Sequence, residues 1–458
     1  MKTDSNATPN QMISILDHLH FECPTREQKN ALSHMADFVS PESKDDFFIL
    51  CGAAGTGKSS ITSAVVSYLN SKEITYQIAA PTGRAARIIG RKTQSVNNTI
   101  HSMIYKVNSD PQTGVVKFTL KPNNATEFTL YIVDEASMIS TVTNNSELTL
   151  FKSENSLFSD LIRFVKAGNP QNKIIFLGDR NQLPPINEND SMALIPKYLE
   201  EMYSLKGSIQ FLTVVKRQED GSNIMQNAVN TRVAIESGKQ NAAISAYKFN
   251  SIFTAAKHYV KDYRTNAPEF CISINPFHKG NQLFNRVVRE NLYGNRVRTI
   301  EVGDWMLITQ KWCRNGLELF NGDHVIVEAF DPNVIENVAG LFFSPIRLKA
   351  KNLAGVEVMI DDYVLIDSIQ HPNGSLPIEQ EKMLRGERYR KNPVYRNSGF
   401  MSDDKYVGAI RLTYGYSITC HKAQGGEWSK VYMSTFHIPS LKYQYTAITR
   451  AVDQLVIY

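Results

Sequence analysis

The chain has 458 residues, with Lys+Arg 50 against Asp+Glu 45, 42% hydrophobic and 21% charged side chains. A composition so close to the globular average excludes a disordered, collagen-like or membrane-spanning chain, and the length suits roughly three domains of ~150 residues. A net charge of +5 permits a nucleic-acid partner without demanding one. Met1–Gln11 is polar, with no apolar signal-peptide core, and no window approaches the ~20 apolar residues of a transmembrane helix, so a cytosol-like, cytoplasmic location and no membrane partner are expected. The cysteines (Cys23, Cys51, Cys271, Cys313, Cys420) are odd in number, widely separated and form no C-x-x-C pair, which argues against a disulfide framework and a zinc site.

Ser5–Asn10 reads as a short polar leader. From about Pro24 to Pro185, β-type runs at Phe47–Leu50, Ile74–Ala80, Phe128–Val133 and Ile174–Leu177 alternate with helical patterns, which predicts a parallel, doubly wound α/β sheet. Ile104–Val107, the turn-rich Ser109–Gly114 and Val115–Leu120 break that rhythm and read as an inserted β-hairpin. A second α/β region begins near Gly207 and runs to the C-terminus. It is interrupted between about Glu301 and Met401 by a strand-rich stretch with turns at Asn321-Gly322-Asp323 and Pro372-Asn373-Gly374, read as a small barrel-like insertion.

The chemistry starts at Gly52-Ala53-Ala54-Gly55-Thr56-Gly57-Lys58-Ser59, which fits G-x-x-x-x-G-K-[ST] between an apolar run and a helical pattern (Ile61, Val65, Tyr68, Leu69). Glycines let successive N–H groups turn toward phosphate oxygens, Lys58 neutralises β/γ charge, the Ser59 hydroxyl suits Mg²⁺, and the helix N-terminus adds partial positive charge. This is a nucleoside-triphosphate site. Leu130–Val133 runs into Asp134-Glu135, where one carboxylate holds Mg²⁺ and its neighbour orients or deprotonates the attacking water. Another buried strand leads to Gln182, placed to sense a γ-phosphate.

Together with Gly178-Asp179-Arg180-Asn181-Gln182-Leu183-Pro184-Pro185, Tyr416–Gly425 and Tyr445–Ala451, these residues resemble motifs I, II, III, V and VI of superfamily 1 helicases; Thr419-Cys420-His421-Lys422-Ala423-Gln424-Gly425 is similar to motif V of the RecD-like (Dda-like) branch. The resemblance runs from Gln28 to Arg450. It implies two RecA-like P-loop domains clamping ATP and Mg²⁺, with a β-hairpin pin (about 103–127) in the first and an SH3-like β-barrel in the second. The implied boundaries are 1–206 for the first domain, 207–300 and 402–458 for the second, and 301–401 for the insertion. Gln28 is then the residue that reads the adenine edge. Gly52, Ala53, Ala54, Gly55, Thr56, Gly57, Lys58, Ser59 and Ser60 hold phosphates, and Gly425 and Glu427 face the nucleotide from the far side. Ser59 and Asp134 carry Mg²⁺, Glu135 is the base or water-positioner, and Gln182 the γ-phosphate sensor. Arg217 (motif IV) and Arg450 (motif VI) reach across from the second domain. Charge on the transferred phosphoryl group needs a cation, and one supplied by the other domain arrives only on closure, which ties hydrolysis to motion at ~10³–10⁵ in rate.

By the same resemblance, single-stranded DNA runs over Pro81, Thr82, Gly83 and Arg84 (motif Ia), Thr99 and His101 (Ib), His278, Lys279 and Asn281, and Thr419 and His421 (V), held by phosphate contacts and stacking without base readout. Phe118, on the hairpin's second strand, is either the wedge that splits a duplex or a packing residue. Lys382–Arg396, with six basic residues and Tyr389 and Tyr395, is either an auxiliary DNA contact or a solvated loop. The implied activity is a monomeric, ATP-dependent 5′→3′ DNA helicase acting on single strands and at single/double-strand junctions, with a single-strand-binding or replication protein as a conceivable partner. The competing readings are a protein-displacing translocase with little unwinding, and a P-loop switch or kinase.

Overall fold

The computed structural model describes residues 14–20, 23–95, 97–110, 115–143, 151–215, 222–352, 355–371 and 374–458. The polar leader, residues 111–114 of the hairpin turn, Arg217 and the Pro372-Asn373 dipeptide lie outside the described residues. Among the described residues no helix is long and apolar enough to cross a membrane.

The first part of the chain carries strands β1 (Phe47–Gly52), β2 (Tyr76–Ala80), β3 (Asn97–Thr99), β4 (Tyr105–Ser109), β5 (Val116–Leu120), β6 (Leu130–Val133), β7 (Phe151–Lys152), β8 (Lys173–Gly178) and β9 (Gly207–Leu212). Six of them form an all-parallel sheet in the order β3-β2-β6-β8-β1-β9. Every residue of β1, β6 and β8 is buried, as expected of strands covered on both faces. Alternation sorts β1: Phe47 and Ile49 enter one core with Phe158 and Leu161, while Phe48 and Leu50 enter the other with Leu32, Ile61 and Val65. The second core is closed by helices α1 (Arg26–Val39) and α2 (Lys58–Ser71). Helix α3 (Gly83–Thr93) follows β2 and is N-capped by Thr82. β4 and β5 pair antiparallel, with Tyr105 opposite Leu120 and Ser109 opposite Val116.

Gly207 was expected to open the second domain, but β9 instead lies parallel to β1 as the edge of the first sheet, with Phe47 opposite Gly207 and Gly52 opposite Leu212. A Cβ at Gly207 would stand 2.1 Å from the Phe47 carbonyl oxygen, so only glycine admits the strand there. The first unit therefore runs to Leu212.

A second sheet begins with β10 (Tyr247–Lys248) and β11 (Cys271–Asn275). The chain then departs to build β12 (Trp305–Ile308), β13 (Trp312–Arg314), β14 (Leu317–Leu319), β15 (His324–Phe330), β16 (Glu336–Val338), β17 (Leu341–Lys351), β18 (Glu357–Leu365) and β19 (Leu412–Tyr414). It returns with β20 (Ser417–Thr419), β21 (Trp428–Met433) and β22 (Ala451–Ile457). The second sheet is parallel, in the order β10-β22-β21-β11-β20. The excursion is antiparallel, and a bridge between Val364 and Ile410 joins the end of β18 to the segment entering β19, closing the strands on themselves. Because β19 pairs with β12, the excursion extends to Tyr414, past the boundary expected at Met401.

Lys382–Arg396 is not a loop. Helices Ile378–Lys391 and Pro393–Ser398 span it, and Lys382, Arg385, Arg388 and Lys391 are ion-paired with Glu379, Glu381, Asp404 and Glu387.

Candidate active site and nucleic-acid interface

β1 delivers the P-loop to α2. Gly55 and Gly57 take φ of +79° and +91°, and the left-handed conformation at Gly57 turns the chain into Lys58. The Lys58 ammonium donates to the Gly52 and Ala53 carbonyls, and Thr56 Oγ1 donates to Ala53 O at 2.9 Å, so the loop is braced by its own side chains. Gln28 braces it from behind. Its amide oxygen accepts the Thr25 N–H at 2.8 Å and its amide nitrogen donates to Thr56 O at 2.9 Å. The expected adenine reader is thus the N3 residue of a capping box as well as a prop beneath the P-loop.

These residues line a cleft of about 500 Å³ whose walls come from both parallel-sheet lobes: Lys58, Ser59, Ser60, Asp134, Glu135 and Gln182 from the first, Gly425, Glu427 and Arg450 from the second. Cys23, Ala85, Ile88 and Lys92 line it too. Glu135 holds a φ of +50°, and its N–H donates to Asp134 Oδ1 at 2.9 Å. Desolvation raises both carboxyl pKa values; the Asp134 charge adds to that at Glu135, while Arg450 and Lys58 oppose it. Neither acid forms an ion pair among the described residues. Two adjacent desolvated carboxylates with oxygen donors close by suit a divalent cation. Ser59 Oγ and Asp134 supply hard oxygens of the kind that fit Mg²⁺ completed by phosphate and water. Gln182 is buried, and its amide oxygen has no partner among the described residues. An unmet buried acceptor costs about 1–3 kcal/mol, and a water or hydroxyl in the cleft would satisfy it.

Arg450 faces this cleft, held by its own lobe: Nε donates to Thr446 O, Nη1 to Gly426 O and Nη2 to Thr449 Oγ1, at 3.0, 3.2 and 3.0 Å. The lobes are latched beside it. Tyr445 OH donates to Asp179 Oδ2, Leu183 N–H to Thr446 Oγ1 and Gln424 Nε2 to Leu183 O, each at 2.8 Å. Motif spacing gave no sign of these contacts, since each joins residues far apart in sequence.

Two adjoining cavities of about 670 and 520 Å³ form a groove across the molecule, sharing Pro81, Thr82, His101, Phe118, His421 and Gln424 as walls. Gly83 and Thr99 line it, as expected. Thr82 and Thr99 are helix N-caps whose Oγ1 atoms accept from Ala85 and Ser102 N–H, so two helix N-termini open on the groove, a disposition that favours anions. Phe118 is half-buried against His101 and Tyr105, with ring centroids 5.5 and 5.2 Å away. Sequence reasoning did not find Tyr105, or Lys311 and Phe320, which the antiparallel unit contributes.

Arg84 lines the groove too, as expected, while one expected strand contact, Asn281, is corrected. Arg84 is half-buried and reaches lobe two as well, its guanidinium 4.5 Å from the Trp428 ring, and desolvation pushes its pKa down to about 10. Asn281 is buried, with Oδ1 accepting from Ser417 Oγ at 2.8 Å, because it ties its helix to β20. His278, Lys279 and Thr419 stand at the C-terminal ends of β11 and β20, beside the groove and not in its walls. The signal for Arg84 was its spacing: Arg84, Arg87 and Arg91 recur at i, i+3 and i+7 on one face of α3, and that face meets Trp428, Asp323 and the Asn352 carbonyl.

A family model for the AAA domain matches residues 24–258, just over half of the chain, and one for the UvrD-like helicase C-terminal domain matches 414–458. The chain is 29% identical over 164 residues to the ATP-dependent RecD2 DNA helicase of Deinococcus radiodurans, covering 36% of this chain and 20% of that one. It is 22% identical over 467 residues to the RecBCD enzyme subunit RecD of Buchnera aphidicola subsp. Schizaphis graminum, covering 90% and 70%. It therefore spans only a fifth of the first relative. Among solved structures, the Pif1 helicase from Candida albicans superimposes with a TM-score of 0.53 at 16% identity over 95% of this chain and 94% of that one, a likeness of fold that identifies the two parallel-sheet lobes as RecA-like domains. The chain belongs to the AAA-domain family, carries a match to the UvrD-like helicase C-terminal domain behind it, and is similar in sequence to RecD proteins.

Proposed function

We propose that this chain is an ATP-driven DNA helicase that moves 5′→3′ along one strand and opens duplex ahead of it. The observation that carries the reading is the single cleft into which Lys58 and Glu135 project from one lobe and Arg450 from the other. The P-loop backbone and Lys58 bind the triphosphate, and Ser59 and Asp134 hold Mg²⁺, which offsets the charge of the bound phosphates. Glu135 takes the proton of the attacking water while Gln182, through its amide oxygen, orients it. Arg450 must leave the Gly426 and Thr449 oxygens to reach the transferred group, so hydrolysis waits on lobe closure. Arg217, by its resemblance to the motif IV arginine, is assigned a second cation role.

The strand lies in the groove, its phosphates on the N-termini capped by Thr82 and Thr99 and its bases against His101 and Phe118. The β4–β5 pair is the duplex-splitting pin, and the closed antiparallel unit is the SH3-like insertion that walls the groove with Lys311 and Phe320. Polarity follows the RecD-like form of motif V. The relative named an ATP-dependent RecD2 DNA helicase accords with this activity.

A second reading, a translocase that displaces proteins with little unwinding, draws on the packing of Phe118 against Tyr105 and His101, which blunts it as a wedge. Duplexes bearing a 5′ or a 3′ single-stranded tail, incubated with ATP, decide among these. Unwinding of the 5′-tailed substrate alone is expected. Unwinding from the 3′ tail reverses the polarity, and no unwinding with intact strand-stimulated hydrolysis favours the translocase.

A further inference from the structure

Helix α3 touches both working surfaces. Pro81, Thr82 and Gly83 at its start wall the groove, and Ala85, Ile88 and Lys92 wall the nucleotide cleft. Arg84 lines the groove with Pro81, Thr82 and Gly83 and also reaches across to the far lobe. Its planar guanidinium is stacked on Trp428, and its Nη1 has no hydrogen-bond partner among the described residues. Asp323 and Glu427 favour its charge, against burial and the neighbouring Arg450 and Arg87. The close approach depends on Gly426, where a Cβ would stand 2.6 Å from Arg84 Cζ and 2.5 Å from the Trp428 ring. Both partners lead directly to Arg450: the Gly426 carbonyl accepts from Arg450 Nη1 at 3.2 Å, and the Trp428 N–H donates to the Arg450 carbonyl at 3.0 Å.

We propose that Arg84 is a positioning residue that relays strand occupancy to the arginine of the far lobe. A strand seated on the N-terminus of α3 shifts that turn, the Arg84–Trp428 stack carries the shift across the lobe boundary, and the Gly426–Trp428 segment releases Arg450 toward the cleft. The inference rests on the proposed reading of cleft and groove, and it gives Arg84, a wall of that groove, a part beyond phosphate contact. It also explains the residue type, because a guanidinium stacks flat on an indole whereas an ammonium keeps the charge and loses the plane.

The test is Arg84→Lys in the full chain. Its ATPase rate is measured with and without a poly-dT oligonucleotide, and oligonucleotide affinity by fluorescence anisotropy over a salt series. Strand stimulation is expected to fall about tenfold, with the strand-free rate, affinity and salt slope within about twofold of wild type. Full stimulation in Arg84→Lys overturns the relay. So does weakened affinity with the salt slope reduced by about one, the mark of a lost phosphate contact. If a thermal melt shows that Arg84→Lys does not fold, Trp428→Phe carries the same test: partial loss of stimulation at unchanged affinity supports the relay, and full stimulation refutes it. A wild-type protein that no strand stimulates defeats the helicase reading itself, which keeps the two failures apart.

Discussion

The nucleotide cleft and the strand groove adjoin across α3, yet they are built by different means. The cleft takes its chemistry from short contiguous pieces, Gly52–Ser60, Asp134-Glu135 and the turn around Gln182, plus one arginine from the far lobe. The groove draws short runs from more segments: Pro81 to Arg84 and Thr99 to Ser102 from the first lobe, Phe118 from the hairpin, Phe320 to Gly322 from the antiparallel unit and His421 to Gln424 from the second lobe. Phosphoryl transfer needs atoms fixed in direction, and a loop or strand end supplies that within a few residues. Holding a polymer without reading it needs only donors and flat surfaces at the right spacing, which topology can bring from anywhere.

The sharpest way to break this contrast is in the cleft. Arg450→Ala should lower strand-stimulated turnover by about 10³–10⁵ in a steady-state ATPase assay. Glu135→Gln should lower it by about 10²–10⁴ while a fluorescent ATP analogue still binds; near-normal hydrolysis would mean that another group activates the water. Tyr445→Phe removes the bond to Asp179 across the lobes and should cost about 1.5–3 kcal/mol in denaturant melts, because it strands a buried acceptor. In the groove, Phe118→Ala should lower unwinding several-fold more than ATPase, on the scale of ~1–3 kcal/mol per stacked base; equal losses in both assays would assign Phe118 to packing.

The smallest effect concerns pH. Burial pushes His324, stacked on Trp305 at 4.8 Å and donating to Gly415 O, down to about 3. The folded form thus resists the proton that the unfolded chain accepts near pH 6.5, so stability is complete above that pH and is lost as the pH falls. About 1 kcal/mol should disappear between pH 7 and 5.5, and His324→Gln should flatten that part of the melting profile.

The same contrast explains what could be read from the chain. Phe47–Gly52 and Lys173–Gly178 announced themselves because a strand buried on both faces is apolar throughout. β9 was assigned to the wrong lobe because its pattern says nothing about which sheet it joins, and only the tight seat of Gly207 against Phe47 decides that. Lys58, Asp134, Glu135, Gln182 and Arg450 were found because the chemistry confines them to motifs, and the structure brings them to one cleft. Arg84 was legible as a groove residue, but its second contact was not, because Trp428 is remote in sequence. Gln28 carried its own clue, since Thr25-x-x-Gln28 is a capping box.

The central claim is that hydrolysis depends on a cation delivered by the second lobe when a strand is held. Initial ATPase rates of wild type and Arg450→Ala, each with and without single-stranded DNA, measure it directly. Many-fold stimulation of wild type and none of the variant is the predicted result; equal stimulation of both, or of neither, would contradict it.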